Sequence, residues 1–244
     1  SQGMKESYPD IFFSQFTGAE LVADKWNLSR EDLDQFALES HQKAAQATES
    51  KYFDKEILPV EGKNAEGIND LVMADEGIRF DASLDKLAGL NPVTEGGKIT
   101  AGNASQITDG AAAVLICNDA GLKKIKSNPR AEIVSISVVG DDPVFMLTGP
   151  IPASHKALDI AKLSIDDMDI YEVNEAFAPV PLAWAEELKA DRSKLNVNGG
   201  AMALGHPLGA TGAKLMTTML HELERRKGKY ALQAICEGGG TANA

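Results

Sequence analysis

Two textures of apolar positions succeed one another along this chain. Over residues 1–98, hydrophobic side chains recur three and four apart among polar ones, a spacing that loads one face of a helix. In "REDLDQFALESHQKAAQA" this places Leu33, Phe36, Ala37 and Ala44 together. "TGAE" predicts a capping box from Thr17 to Glu20, and Ser29 with Asp32 predicts a second, with Leu28 set to staple against Leu33. Residues 60–98 read as turn-rich, with one further short helix around "SLDKLAGL".

Past residue 98 the apolar residues run together. "DGAAAVLIC" (109–117), "AEIVSISVVG" (131–140), "MDIYEV" (168–173) and a last strand at "YALQAIC" have strand length and β-branched content. Between them, "IPASHKALDIAKL", "AWAEELKA" and "GAKLMTTMLHELERR" have the helical period. Pro179 and Pro181 predict that the middle helix begins at Pro181 instead of running on from Glu175. Strands alternating with helices predict an α/β sheet of buried, largely parallel strands, with a domain boundary near residue 98.

One stretch breaks the pattern. "NVNGGAMALGHPLGATGAKL" (196–215) sets Gly199, Gly200, Gly205, Gly209 and Gly212 around a single histidine, His206. Ordering glycine is costly, so the run suits a backbone that turns tightly or is closely approached. It serves either as a packed crossover or as a loop that presents His206 to a ligand.

The totals narrow the choices. With 244 residues, 43% hydrophobic and 25% charged, the chain is an ordinary globular one, long enough for two domains. A net charge of −12 argues against a nucleic-acid partner, while leaving room for an anionic small ligand held by local cations. The only cysteines, Cys117 and Cys236, lack C-x-x-C spacing, which argues against a disulfide scaffold or a metal site and fits a reducing compartment. No apolar run approaches the roughly 18 residues of a membrane span. "SQGMKESYPD" holds no signal-peptide pattern. A cytoplasmic location, with no membrane partner, is expected.

In sheets of this kind ligands collect at the carboxyl ends of strands. Asn174–Phe177 follows "IYEV", the His206 loop follows a helix, and Cys236 closes "LQAIC" before "EGGG". Singly, Asn174 serves equally well as a helix N-cap, a histidine on a glycine-rich turn as a structural residue, and a cysteine as a small buried hydrophobe. Cys117, inside an apolar run, keeps that last reading. Cys236 differs, because the glycines after it free backbone N–H groups to face a ligand, as in an oxyanion hole.

"NEAFA" (174–178), the glycine–histidine stretch and "CEGGG" (236–240) resemble, in order and spacing, the three C-terminal signatures of the thiolase family. "TAGNASQITDGAAAV" (100–114) resembles the stretch joining that family's lid to its core, and "SREDLDQFALESHQKA" the long helix of its coenzyme A-binding lid. The related condensing enzymes of fatty-acid synthesis pair two histidines with a cysteine. The His and Cys here favour thiolase.

The resemblance implies an α/β fold, part of an αβαβα sandwich with a mostly helical lid. The lid spans residues 1–98, the last strand region of the N-terminal core 99–119, and the C-terminal core 120–244. It implies acyl transfer between coenzyme A thioesters, by thiolytic cleavage or Claisen condensation of a 3-ketoacyl-CoA, with coenzyme A as substrate and no covalently bound cofactor. His206 matches the residue that deprotonates the nucleophile and helps hold the thioester oxygen. Asn174 matches the residue that fixes a water there, Cys236 the acid/base at the α-carbon, and Gly238 N–H part of a second oxyanion hole. Arg79 aligns with a lid arginine near the nucleotide end of coenzyme A, and Ser105 with a contact to the pantetheine arm. The glycines are then expected to open a narrow tunnel to His206.

The family's nucleophilic cysteine has no counterpart, since Cys117 aligns with a buried strand position. The chain thus reads as the C-terminal part of a thiolase, inactive alone and working as a homo-oligomer or with a complementing chain that carries the N-terminal half. "FSQF" (13–16), where short-chain thiolases often have a His-Met pair, suggests a longer or bulkier acyl group. The rival expectation is a non-catalytic coenzyme A-binding or partner subunit, against which the joint presence of Asn174, His206 and Cys236 counts.

Overall fold

Local signals set the N-terminal helices of the computed structural model, which describes residues 2–63 and 67–244. After α1 (Gln2–Ser7) and α2 (Gln15–Lys25) comes the long helix α3 (Arg30–Glu49). Its capping box forms as expected: Ser29 Oγ accepts from Asp32 N at 3.1 Å, and Asp32 Oδ2 accepts from Ser29 N at 2.8 Å. Leu33, Phe36, Ala37 and Ala44 are buried along it.

The box expected at Thr17–Glu20 does not form. Helix α2 begins two residues before Thr17, and Glu20 is drawn away by a distant loop, accepting from Lys98 N and Ile99 N at 2.9 Å each. The 60–98 segment carries the expected short helix as α4 (Leu84–Ala88). It also carries an unforeseen hairpin of β1 (Val60–Lys63) and β2 (Asn69–Val72), whose exposed faces gave no alternation to read. The part of that segment at residues 64–66 lies outside the described residues.

A larger departure follows. The strand expected over 109–117 is absent: residues 105–118 have no regular structure, with Leu115 78% and Ile116 64% exposed. Among the described residues no strand lies beside it to take its backbone groups, and an unpaired strand is not stable alone. Cys117 is therefore exposed and not buried. After α5 (Asp119–Ile125), the strand expected over 131–140 survives only as β3 (Val138–Gly140).

The remaining elements are α6 (Pro150–Ala161), β4 (Ile170–Val173), α7 (Pro179–Leu188), α8 (Ala201–Leu204), α9 (Thr211–Arg226), β5 (Ala231–Glu237) and β6 (Thr241–Asn243). Helix α7 begins at Pro179, two residues earlier than expected, because neither proline's missing N–H is needed in a first turn. The sheet order is β3-β6-β5-β4. Only β4 and β5 are parallel, whereas β6 runs antiparallel to β5 and β3, which corrects the largely parallel expectation. "YALQAIC" is not the last strand. Gly239 (φ +83) and Gly240 (φ +84) turn the chain back into β6.

The main core packs α2, α3, α6 and α7 onto β4 and β5 around Val22, Leu33, Tyr171, Trp184 and Leu195. Trp184 is fully buried, and its indole N–H donates to Ser154 Oγ at 2.8 Å. This core joins the helices of the first 98 residues to the strands behind the candidate site.

Candidate active site

Strand β4 ends with Val173 opposite Ala234 of β5, and the next N–H, that of Asn174, donates to Ala234 O at 3.0 Å. The buried Asn174 side chain is thereby fixed at the carboxyl end of the parallel pair, its Nδ2 standing 3.4 Å from His206 Nε2. His206 is held from three sides. Its N–H donates to Gln106 O at 2.9 Å, and Gln106 Nε2 in turn donates to Gly77 O (2.8 Å) and Met202 O (2.7 Å). Its Nδ1 lies 2.6 Å from Thr211 Oγ1 at the start of α9. Burial, followed by the charge of Lys214, lowers the imidazole below its ordinary range and favours the neutral ring. The ring borders an open cleft of about 550 Å³ between segments 107–112 and 206–210.

Cys236 sits on the neighbouring strand, two residues past Ala234, hence roughly 7 Å further along β5. It is 9% exposed within the apolar core, and burial pushes its thiol up to about 12. No hydrogen bond links it to Asn174 or His206 among the described residues, and it does not border the cleft. Gly238 is exposed on the β5–β6 turn with open space around it. The structure thus brings Asn174 and His206 together and leaves Cys236 and Gly238 further along the adjacent strand. Ser105 is tied to the segment that follows Asn174, its N–H donating to Ala176 O at 2.9 Å. Arg79 is exposed, its backbone N–H donating to His41 Nδ1 at 3.1 Å.

The glycine run serves packing more than access. A Cβ on Gly199, whose φ is +79, would stand 2.6 Å from Ser40 O of α3, and one on Gly200 would enter the carboxyl of Glu175. These are approaches of protein to protein, so the expected tunnel is not what the glycines provide. Gly209 has nothing within 4 Å. Glu175, one residue past Asn174, is buried and accepts from Ser40 Oγ (2.7 Å), Asn196 Nδ2 (2.9 Å) and Met202 N (3.2 Å). Burial raises its carboxyl despite these donors.

Sequence reasoning missed Glu175, Gln106 and Thr211. The charge inside the apolar "VNEAFA" was the one available signal for Glu175. Nothing local marked the other two. Among the described residues no group of three or more His, Cys, Asp or Glu side chains suits a metal ion, and no helix is long and apolar enough to cross a membrane.

Models of the thiolase N-terminal and C-terminal domains match residues 2–120 and 127–244. The chain belongs to the thiolase family. It is 56% identical over 236 residues to the steroid 3-ketoacyl-CoA thiolase FadA6 of Mycobacterium tuberculosis, a match that covers 97% of this chain and 56% of that protein. The crystal structure of Bacillus anthracis acetyl-CoA acetyltransferase superimposes with a TM-score of 0.91 at 40% identity, covering 96% of this chain and 60% of the other. That of human mitochondrial 3-ketoacyl-CoA thiolase in complex with CoA superimposes at 0.86 and 44% identity, covering 93% and 56%. The chain thus has the α/β thiolase fold and spans a little over half the length of these thiolase relatives.

Proposed function

We propose that this chain supplies the acid/base half of an acyl-CoA C-acyltransferase that cleaves or forms 3-ketoacyl-CoA thioesters. The observation that carries the reading is the Asn174–His206 pair beside the cleft, at the carboxyl end of β4. The coenzyme A complex of the human relative and the 3-ketoacyl-CoA named for others supply the substrate class.

In the thiolytic direction, a cysteine thiol from a complementing chain gives its proton to His206 Nε2 and attacks the keto carbon. The oxyanion is held by the imidazole and by a water fixed on the Asn174 amide. The bond between C2 and C3 breaks with its electrons passing to C2, and the acetyl-CoA enolate takes a proton from the Cys236 thiol while Gly238 N–H faces its oxygen. Free coenzyme A then gives its thiol proton to the Cys236 thiolate and attacks the acyl-enzyme. The departing nucleophile takes back the proton held by His206, leaving the shortened acyl-CoA and both groups as they began. A neutral His206 and a Cys236 thiol at about 12 suit these starting states, one a base and the other an acid.

Residues 1–98 act as the lid, with Arg79 near the nucleotide end of coenzyme A and Ser105, just past the lid, against its pantetheine arm; coenzyme A enters as substrate. Phe16 of "FSQF" packs edge-on against Phe177, ring centroids 5.4 Å apart, beside the Asn174 turn. The "FSQF" segment and the steroid thioester named for the Mycobacterium relative support a bulky acyl group. The two free thiols suit a reducing, cytoplasmic setting.

The test mixes this chain with the N-terminal half of the FadA6 relative and follows loss of a 3-ketoacyl-CoA on adding coenzyme A. Turnover is expected only in the mixture, with His206→Ala and Cys236→Ala each lowering it by about 10²–10⁴-fold. Full turnover with Cys236→Ala overturns its assignment.

A further inference from the structure

Thr211 opens α9 directly behind the imidazole assigned above as the base. The residue is 2% exposed, and its Oγ1 lies 2.6 Å from His206 Nδ1 and 3.2 Å from Pro207 O. A hydroxyl has one proton to give and two lone pairs. Pro207 O can only accept, so a hydroxyl proton turned toward it leaves a lone pair facing Nδ1, and Nδ1 must then carry hydrogen.

The other edge of the ring asks for the same tautomer. Asn174 turns its Nδ2 toward His206 Nε2 at 3.4 Å, while Asn174 Oδ1 is buried without a partner. Reversing the amide would bury two N–H donors in that unpartnered place, and orphaned donors are rarer in protein interiors than under-satisfied oxygens. An amide N–H beside Nε2 requires a lone pair there. An unrestrained neutral histidine prefers its proton on Nε2, so this arrangement is one that the fold must impose.

We infer that Thr211 is a positioning residue: its hydroxyl, tied back to Pro207 O, accepts the Nδ1–H of His206 and keeps the Nε2 lone pair turned toward Asn174 and the reacting thiol. The ring orientation and the side of the ring that can take a proton are then both set by one hydroxyl outside the reacting atoms. The inference rests on the proposed base role of His206, but it is read without any turnover.

The test is 15N NMR of the full chain with labelled histidine, the His206 signals being assigned by their loss in His206→Gln. His41 and His221 serve as internal controls. Above the titration of the ring, wild type and Thr211→Ser are expected to show N–H at Nδ1, and Thr211→Val to lose it in favour of Nε2–H. An Nε2–H ring in wild type, or an Nδ1–H ring kept by Thr211→Val with the controls unmoved, overturns the inference. Should Thr211→Val also disturb His41 and His221, the wild-type tautomer and its retention in Thr211→Ser decide. Failure of the base role shows elsewhere, as turnover retained by His206→Ala in the mixture with the complementing chain.

Discussion

Ser40 Oγ donates to Glu175 Oε2 at 2.7 Å, joining the middle of α3 to the residue that follows Asn174. The same hydroxyl accepts from Gly200 N at 3.0 Å, so one serine ties α3 to the segment after Asn174 and to the glycine loop that leads to His206. Ser40→Ala removes both partners from buried groups. It is expected to lower stability by about 1–3 kcal/mol, read as a lower urea midpoint at unchanged slope. An unchanged midpoint would show that this link contributes nothing.

Two glycines of the same loop should respond in opposite ways. Gly199→Ala forces a Cβ to within 2.6 Å of Ser40 O at a φ of +79, and is expected to cost at least ~2 kcal/mol or to prevent folding. Gly209→Ala meets open space at an ordinary φ and is expected to shift stability by no more than about 1 kcal/mol, on the stabilising side. Thermal melts of the two variants side by side check the contrast.

Glu56 is buried against α9, accepting from Thr218 Oγ1 at 3.0 Å with His221 Nδ1 at 3.3 Å, and burial raises its carboxyl to about 7 from 4.5. Below pH 4.5 the group is protonated in folded and unfolded chains alike. As pH rises from there to about 7, only the unfolded chain ionises, so stability falls across that window, by up to about 3 kcal/mol at ~1.4 kcal/mol per pKa unit. Glu56→Gln should flatten the dependence of the urea midpoint over this range. A slope equal to that of wild type would assign it to other groups.

His206 is held low first by burial and then by Lys214, so it stays neutral to a pH below the ordinary 6.5. Replacing Lys214 by Met removes a neighbouring cation and should raise the imidazole toward that value. NMR titration of the ring is expected to show the upward move. In the complemented enzyme the acid limb of kcat/KM should shift to higher pH with it.

The two thiols should differ sharply toward alkylation. Cys117 is exposed, whereas Cys236 is buried with its thiol near 12, so one thiol per chain is expected to react in native protein at pH 8 and the second only after denaturation. Rapid modification of both would contradict the burial of Cys236.

The local level was the most legible in the sequence. The Ser29 box, the buried face of α3 and the short helix after Ser83 were written in neighbouring residues. What failed depended on distant partners. Glu20 abandoned its own helix start for the N–H groups of Lys98 and Ile99, and "DGAAAVLIC" lacks a neighbouring strand among the described residues. At the site, Asn174 and His206 were found through their motifs, and they meet because the β4–β5 pair fixes the first while Gln106 O and Thr211 hold the second. Thr211 and Gln106 were invisible because a threonine at a helix start and a glutamine in a loop look like any others until a ring nitrogen or a carbonyl is seen beside them. Of the glycines, Gly199 and Gly200 are explained by packing, since only the coordinates show that Ser40 and Glu175 occupy the space a Cβ needs there.

The uncovered ribbon from Ile107 to Ile116, with Ile136 and Val138 of the β3 segment, has a practical consequence for handling. Such aliphatic side chains adhere to one another more strongly as sulfate or phosphate is added, and less so on cooling. Purified by itself, this protein should cloud at modest ammonium sulfate and keep best cold and dilute.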